Sequence, residues 1–103
     1  MIYEMRTYTL KPGAIPVFLE LFEKEALPII KKRSKLVAWW TTEIGPLNEM
    51  IHVWEYEDAA ARESIRSAQN ADPDLAEFRP KARELIVSQQ NRILVAAPFS
   101  PIR

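Results

Sequence analysis

The sequence has few of the residue types on which many metal, cofactor and redox sites depend. Among its 103 residues there is no cysteine, one histidine and two glycines. The absence of cysteine excludes disulfides, zinc–thiolate sites, iron–sulfur clusters and a cysteine nucleophile. Two glycines are too few for a glycine-rich phosphate loop or a dinucleotide fingerprint. With one histidine and scattered carboxylates, we expect neither a metal site nor a cofactor.

The sequence also lacks an excess of charge and a long apolar segment. Fourteen basic residues balance fourteen acidic ones, so electrostatic capture of nucleic acid or of an anionic membrane is not indicated. No apolar run approaches the roughly 18 residues of a membrane-spanning helix, and no signal peptide is recognisable. We expect a cytoplasmic protein without a nucleic-acid partner or membrane insertion. A mitochondrial matrix location is the alternative if a targeting segment lies outside this sequence.

Hydrophobic periodicity predicts the order β-α-β-β-α-β within one domain, residues 1–103. The predicted strands are residues 2–9, 36–43, 49–56 and 87–95, and the predicted helical regions are 14–33 and 59–85, the second in two pieces. Pro28 and Pro80 are expected to kink or break these helices. Right-handed crossovers in both β-α-β halves then predict a ferredoxin-like α+β fold. In this fold a four-stranded antiparallel sheet carries its helices on one face.

The two faces of the predicted sheet are both largely apolar. The first-strand residues expected to face the helices are Tyr3, Met5, Thr7 and Thr9, and those expected to face away are Ile2, Glu4, Arg6 and Tyr8. Because helices cover one face only, the other face would expose Trp54, Tyr56 and one of Trp39 and Trp40. A second copy would cover that patch under two-fold symmetry. We therefore predict a homodimer through the open sheet face.

Several short motifs, spread over nearly the whole chain, together resemble the NIPSNAP family. They are Glu4-x-Arg6-x-Tyr8, the run W-T-T-E-I-G-P-L-N from Trp40 to Asn48, His52-x-Trp54-x-Tyr56 with Arg62, Asp72-Pro73, Q-N-R-I-L from Gln90 to Leu94, and P-F-S-P from Pro98 to Pro101. Ala38 stands where the resemblance leads us to expect glycine. The resemblance implies a dimeric α+β barrel. It also implies kinship with cofactor-independent oxygenases, EthD-like proteins, haem-degrading enzymes and chlorite dismutases.

Three residues are candidates for catalysis. His52 could be a general base or a ligand contact near neutral pH, and Arg6 and Tyr8 could bind an anionic or enolate oxygen. Each also has a structural interpretation, His52 as a hydrogen-bonded interior residue and Arg6 as half of an ion pair. An interior Arg6 needs an acidic partner, for which Glu4, Glu43 and Glu55 are the candidates.

Five further residues are candidates for ligand binding: Trp40, Glu43, Asn48, Trp54 and Tyr56. Trp39 and Trp40 must face opposite sides of their strand, and the hairpin register decides which of them lies beside His52. We choose Trp40, because a slightly wide turn would pair it with His52. The simplest role for Asn48 is that of a turn residue, and the simplest role for Trp54 and Tyr56 is packing.

Two functional hypotheses follow. In the first, the protein binds a small apolar or aromatic molecule that carries a polar oxygen. If it is an enzyme, proton abstraction or cofactor-independent oxygenation is the best-motivated chemistry. This hypothesis requires a void beside His52. In the second, the protein is a non-enzymatic structural or adaptor protein that acts through its dimer surface, which predicts a solid interior.

Overall fold

The computed structural model describes all 103 residues and contains one four-stranded sheet. Its strands are β1 (Ile2–Leu10), β2 (Lys35–Thr41), β3 (Glu49–Tyr56) and β4 (Ile86–Leu94). They lie in the order β2-β3-β1-β4, and every neighbouring pair is antiparallel. This is the predicted ferredoxin-like topology, in which the first and third strands are central.

The helices come from the two predicted helical regions. They are α1 (Ala14–Leu21), a π-helical segment (Phe22–Ala26), α2 (Leu27–Ile30), α3 (Ala59–Asn70), a 3₁₀ turn (Pro73–Leu75) and α4 (Phe78–Leu85). Asp58 caps α3 by accepting a hydrogen bond from the backbone N–H of Ala61 at 2.7 Å, as its place before the helix favours. None of these helices has the length and apolar character needed to cross a bilayer.

Proline shapes the first helical region in a different way from the predicted kink. The N–H of Leu27 donates to the carbonyl of Phe22, five residues back, so the chain widens into a π-helix before Pro28. In a regular α-helix the ring of Pro28 would clash with the carbonyl of Lys24, and a π segment changes that spacing. Pro80 causes no break, because it lies in the first turn of α4, where no N–H donor is required.

The helices pack on the sheet face opposite to the one expected for β1. Tyr8 meets the ring of Phe18 in α1 edge-on at 6.2 Å, and Trp54 of β3 lies 6.4 Å from the ring of Phe22. Glu4, which shares this face, is completely buried. The prediction that Tyr3, Met5, Thr7 and Thr9 face the helices was therefore wrong. The alternate residues on both faces of β2 and β3 are largely apolar, so the residue pattern alone did not identify the face that the helices cover.

The open face of the sheet carries the other alternate residues of each strand. Tyr3 pairs with Glu55, Met5 with Val53 and Thr7 with Ile51, and Trp40 pairs with Ile51 on the far side. The prediction that Trp54 and Tyr56 would be exposed there was wrong, because both are buried under the helices. Trp40 does lie on the open face, with 59% of its surface exposed.

Candidate ligand-binding site

A cavity of about 260 Å³ lies between the covered face of the sheet and the helices. Its apolar wall includes Phe18, Phe22, Trp54 and Phe78, which come from α1, the π segment, β3 and α4. Its polar lining from the sheet includes Arg6 and Tyr8 of β1, His52 of β3 and Gln89 of β4. Directly paired antiparallel residues point to the same face. The pairing of Arg6 with His52 therefore explains why these side chains converge.

Trp39, rather than Trp40, is the tryptophan beside His52. The two residues are direct partners across β2 and β3, and their rings stack with centroids 3.9 Å apart and planes 8° apart. A bulge between Leu36 and Ala38 shifts the register of β2. Beyond that bulge Trp39 lies on the covered face and Trp40 on the open face. The prediction that Trp40 lies beside His52 was therefore wrong.

The protonation of His52 follows from one hydrogen bond. The indole Nε1–H of Trp54 donates to Nδ1 of His52 at 2.7 Å, so in the neutral ring the proton resides on Nε2. Burial, helped by the positive charge of Arg6, lowers the pKa of His52 to about 3. The imidazole is therefore neutral near pH 7. Its Nε2–H is buried and has no hydrogen-bond partner in the protein.

Arg6 and Tyr8 add two further donors. Nε of Arg6 donates to the phenolic oxygen of Tyr8 at 2.9 Å. Because that oxygen accepts from Arg6, the hydroxyl proton of Tyr8 remains available to a ligand. The ring of Tyr8 lies edge-on to His52, with centroids 4.7 Å apart. The sheet side of the cavity is consequently rich in hydrogen-bond donors, whereas the basic nitrogen of His52 is already occupied.

Glu4, which is buried, positions Arg6 through a network of hydrogen bonds. Its Oε2 accepts from Arg6 at 3.2 Å, from Asn91 of β4 at 2.7 Å and from Arg62 of α3. Burial by itself would raise the pKa of Glu4. The hydrogen bond from Arg62 and the charge of Arg6 nevertheless hold the pKa below its usual value. Glu4 is thus the acidic partner of Arg6, whereas Glu55 binds Lys35 at 3.1 Å.

The cavity includes five of the eight residues proposed from the sequence: Arg6, Tyr8, His52, Trp54 and Tyr56. Trp40, Glu43 and Asn48 do not line it. Glu43 is exposed in the β2–β3 loop. Asn48 is a turn residue with φ of 59°, and its carbonyl accepts from Leu10 at 2.8 Å. These three residues lie outside the cavity, and a ligand-binding role for them stays a prediction.

Other lining residues were missed. Phe18 and Phe22 have the i, i+4 spacing of a packed helix face, and that spacing does not by itself indicate a cavity wall. Arg66 of α3 and Arg83 of α4 also line the cavity. No local sequence signal distinguishes these arginines from ordinary solvent-exposed charges, because only the packing of the two helices brings them to one cavity.

The fold and the cavity define a ferredoxin-like α+β protein with an aromatic-walled site between sheet and helices. The chain belongs to the NIPSNAP family, whose family model matches residues 3–101. It is 36% identical over 101 residues to Protein NipSnap homolog 3A from Homo sapiens, and this match covers 96% of the chain and 40% of that relative. The chain thus spans about 40% of the length of this curated relative.

Solved structures agree with this assignment. Protein Atu4242 from Agrobacterium tumefaciens superposes with a TM-score of 0.97 at 42% identity, covering 100% of both chains. An uncharacterized NIPSNAP domain protein from Burkholderia xenovorans gives 0.94 at 36% identity, covering 98% of this chain and 99% of that one. SnoaB from Streptomyces nogalater, a cofactor-independent oxygenase, gives 0.68 at 17% identity, with 97% and 96% covered. At that identity the likeness concerns the fold alone.

Proposed function

We propose that this protein binds a small aromatic molecule carrying a carbonyl, enol or phenol oxygen in the cavity beside His52. The observation that supports this most directly is the buried Nε2–H of His52, which has no partner in the protein. A buried donor without a partner costs about 1–3 kcal/mol. An oxygen atom of a bound ligand would accept from this donor and offset that cost.

The dimensions and the wall of the cavity favour one or two fused rings. Its volume of about 260 Å³ lies just below the range of roughly 300–1,000 Å³ that is typical of small-molecule sites. Phe22, Trp54 and Phe78 offer ring faces and edges to such a ligand. The adaptor hypothesis predicts a solid interior, so the presence of this cavity favours small-molecule binding.

The donors suggest the form that catalysis would take. His52, Tyr8 and Arg6 together suit an oxygen that gains negative charge, such as that of an enolate. An acidic C–H proton of the substrate would leave to solvent, and its electron pair would be delocalised onto that oxygen. The enolate carbon would then form a bond to dioxygen, and the resulting peroxide anion would take a proton from water. If the proton instead returned at another carbon, the reaction would be an isomerisation.

In this proposal the role of His52 differs from that of the general base suggested by the sequence. The nitrogen that could accept a proton, Nδ1, already accepts from Trp54. His52 therefore acts as a neutral hydrogen-bond donor that positions and stabilises the ligand oxygen.

Calorimetric titration with 2-naphthol and naphthalene tests the proposal. We expect 2-naphthol to bind about five- to tenfold more tightly, since one hydrogen bond to a buried donor is worth about 1–1.5 kcal/mol. Binding should also shift the Nε2–H proton resonance of His52. His52→Phe keeps a ring that can stack on Trp39, and it should abolish the preference for 2-naphthol. Equal affinities in the native protein, or no binding of either compound, would contradict the proposal.

We also infer that two copies associate through the open sheet face. No helix covers this face, and it carries Met5, Ile51, Val53 and the largely exposed Trp40. A contiguous apolar face of this kind is unusual on a monomer. Two-fold pairing of the sheets would cover it while leaving the cavity, which lies on the opposite face, accessible.

A further inference from the structure

The charges around the cavity are strongly segregated. Over the whole chain fourteen basic residues balance fourteen acidic ones. The cavity nevertheless has four arginines in its lining, Arg6, Arg66, Arg79 and Arg83, and no aspartate or glutamate. Such segregation at a concave surface creates a positive potential that favours anionic ligands. Three of these arginines come from the helices, so they are different groups from the hydrogen-bond donors that the sheet supplies around His52.

The four arginines differ in how far the protein neutralises them. Arg6 is paired with Glu4 at 3.2 Å. Arg79 donates to the backbone carbonyls of Gln69 and Asp72, and so it joins the end of α3 to the following turn. Arg66 and Arg83 have no carboxylate within 4.0 Å and donate no side-chain hydrogen bond within the protein. These two guanidinium groups are therefore free for a ligand.

Their position also differs from that of the donors on the sheet. Arg83 is exposed, Arg66 is half-buried, and Asn70 and Gln89, which also line the cavity, are exposed. The exposed lining residues mark where the cavity meets solvent. His52, in contrast, is buried on the sheet side with 3% of its surface exposed. The site thus has a neutral donor at its buried end and uncompensated cationic groups at its open end.

We propose that Arg66 and Arg83 determine specificity for a ligand with two ends: an aromatic body whose oxygen reaches His52, and a carboxylate or phosphate group held at the mouth of the cavity. Guanidinium groups bind both anions through paired, charge-assisted hydrogen bonds. This inference rests on the proposed function, since it names the substrate class of the same cavity. It adds the requirement that the ligand carry an anionic group, which the binding of an aromatic ring alone does not impose.

The test compares three probes that share a naphthol body: 2-naphthol, 6-hydroxy-2-naphthoate and the methyl ester of that acid. Calorimetry at low ionic strength should show that the acid binds at least about tenfold more tightly than its ester, as expected for charge-assisted hydrogen bonds. Raising the salt concentration should reduce this ratio, because the arginines lie near solvent. A fourth probe, 6-hydroxy-2-naphthyl phosphate, distinguishes phosphate from carboxylate as the preferred anion.

Variants assign the effect to the two arginines. Arg66→Gln with Arg83→Gln should bring the affinity ratio of acid to ester to within about threefold. Lys32→Gln removes one positive charge from an exposed residue that does not line the cavity, and it should leave the ratio unchanged. Circular dichroism and the thermal midpoint establish that each variant is folded. The single variants Arg66→Gln and Arg83→Gln measure how much each arginine contributes to the affinity ratio of acid to ester.

The outcomes separate this inference from the proposed function. If 2-naphthol binds but neither anion binds more tightly than the ester, the specificity inference is wrong and the proposed function stands. If the acid retains its advantage in the double variant or loses it equally in Lys32→Gln, Arg66 and Arg83 are not the determinants. If none of the probes binds, both proposals are wrong.

Discussion

His52 is the residue whose environment is most unusual, and its buried neutral ring should make stability depend on pH. Its pKa is about 3 in the folded protein, compared with an ordinary value of 6.5. Between these values the unfolded chain binds one more proton than the folded chain, so stability falls as the pH falls below 6.5.

We expect the free energy of unfolding to decrease by about 2 kcal/mol from pH 7 to pH 5 on account of His52. Carboxylates titrate mainly below this window. Urea unfolding at the two pH values measures the difference, and His52→Gln should remove most of it. An equal dependence on pH in the variant would show that His52 is not its source.

Glu4 gives a second prediction at this scale. Glu4→Gln would leave Arg6 and Arg62 without a carboxylate beneath the cavity, where Glu4 is fully buried. We expect a loss of about 3 kcal/mol in the free energy of unfolding, the lower end for a broken buried ion pair, since Arg62 keeps some contact with solvent. Chemical denaturation measures it. Glu20→Gln breaks the exposed pair with Lys24 and should change little. Similar effects of both changes would contradict the assigned role of Glu4.

At the scale of elements, the β2–β3 hairpin shows how local backbone geometry positions the site. The bulge after Leu36 places Trp39 on the covered face, where it stacks on His52. The loop returns through Asn48 in the left-handed region, which asparagine tolerates better than most residues. The π segment before Pro28 contributes Phe22 to the same cavity. Local departures from regular geometry therefore position Phe22 in the cavity wall and Trp39 against His52.

The backbone at Asn48 can be tested with a matched pair of substitutions. Asn48→Ala should lower the free energy of unfolding by about 1 kcal/mol, because a Cβ without a compensating polar group is strained at φ of 59°. Asn48→Gly should cost less, since glycine adopts this conformation freely. Thermal unfolding of the two variants shows which of them loses more stability. If Asn48→Gly were the more damaging change, the asparagine side chain, and not the backbone, would matter.

At the scale of the whole molecule, the main question concerns the open sheet face. We expect sedimentation equilibrium to give a mass twice that of the 11.9 kDa chain. Val53→Glu places a charge in the middle of that face and should shift the protein towards monomer. Val17→Glu makes the same change on the exposed surface of α1 and should leave the mass unchanged. A monomeric native protein, or dissociation by both variants, would contradict pairing through the sheet.

The fold follows from the sequence because periodicity is a local property. Alternating and helical patterns appear in the right order, and the crossover rules leave few ways to connect them. The common face of His52, Trp54 and Tyr56 follows in the same way, from the two-residue repeat of a strand. The resemblance to the NIPSNAP family was also readable, and the family comparison confirms it.

Which face the helices cover was decided only by the tertiary structure. Glu4 and Arg6 resemble surface charges in the sequence, yet their face is the buried one. Glu4 finds Arg62 and Asn91, which are 58 and 87 residues away along the chain. The choice between Trp39 and Trp40 likewise depended on a bulge that the residue pattern does not show. Burial of a charge depends on partners brought from distant elements, whereas strand periodicity depends on neighbours alone. The sequence therefore determined the elements and their order, and the tertiary structure decided which side chains form the cavity.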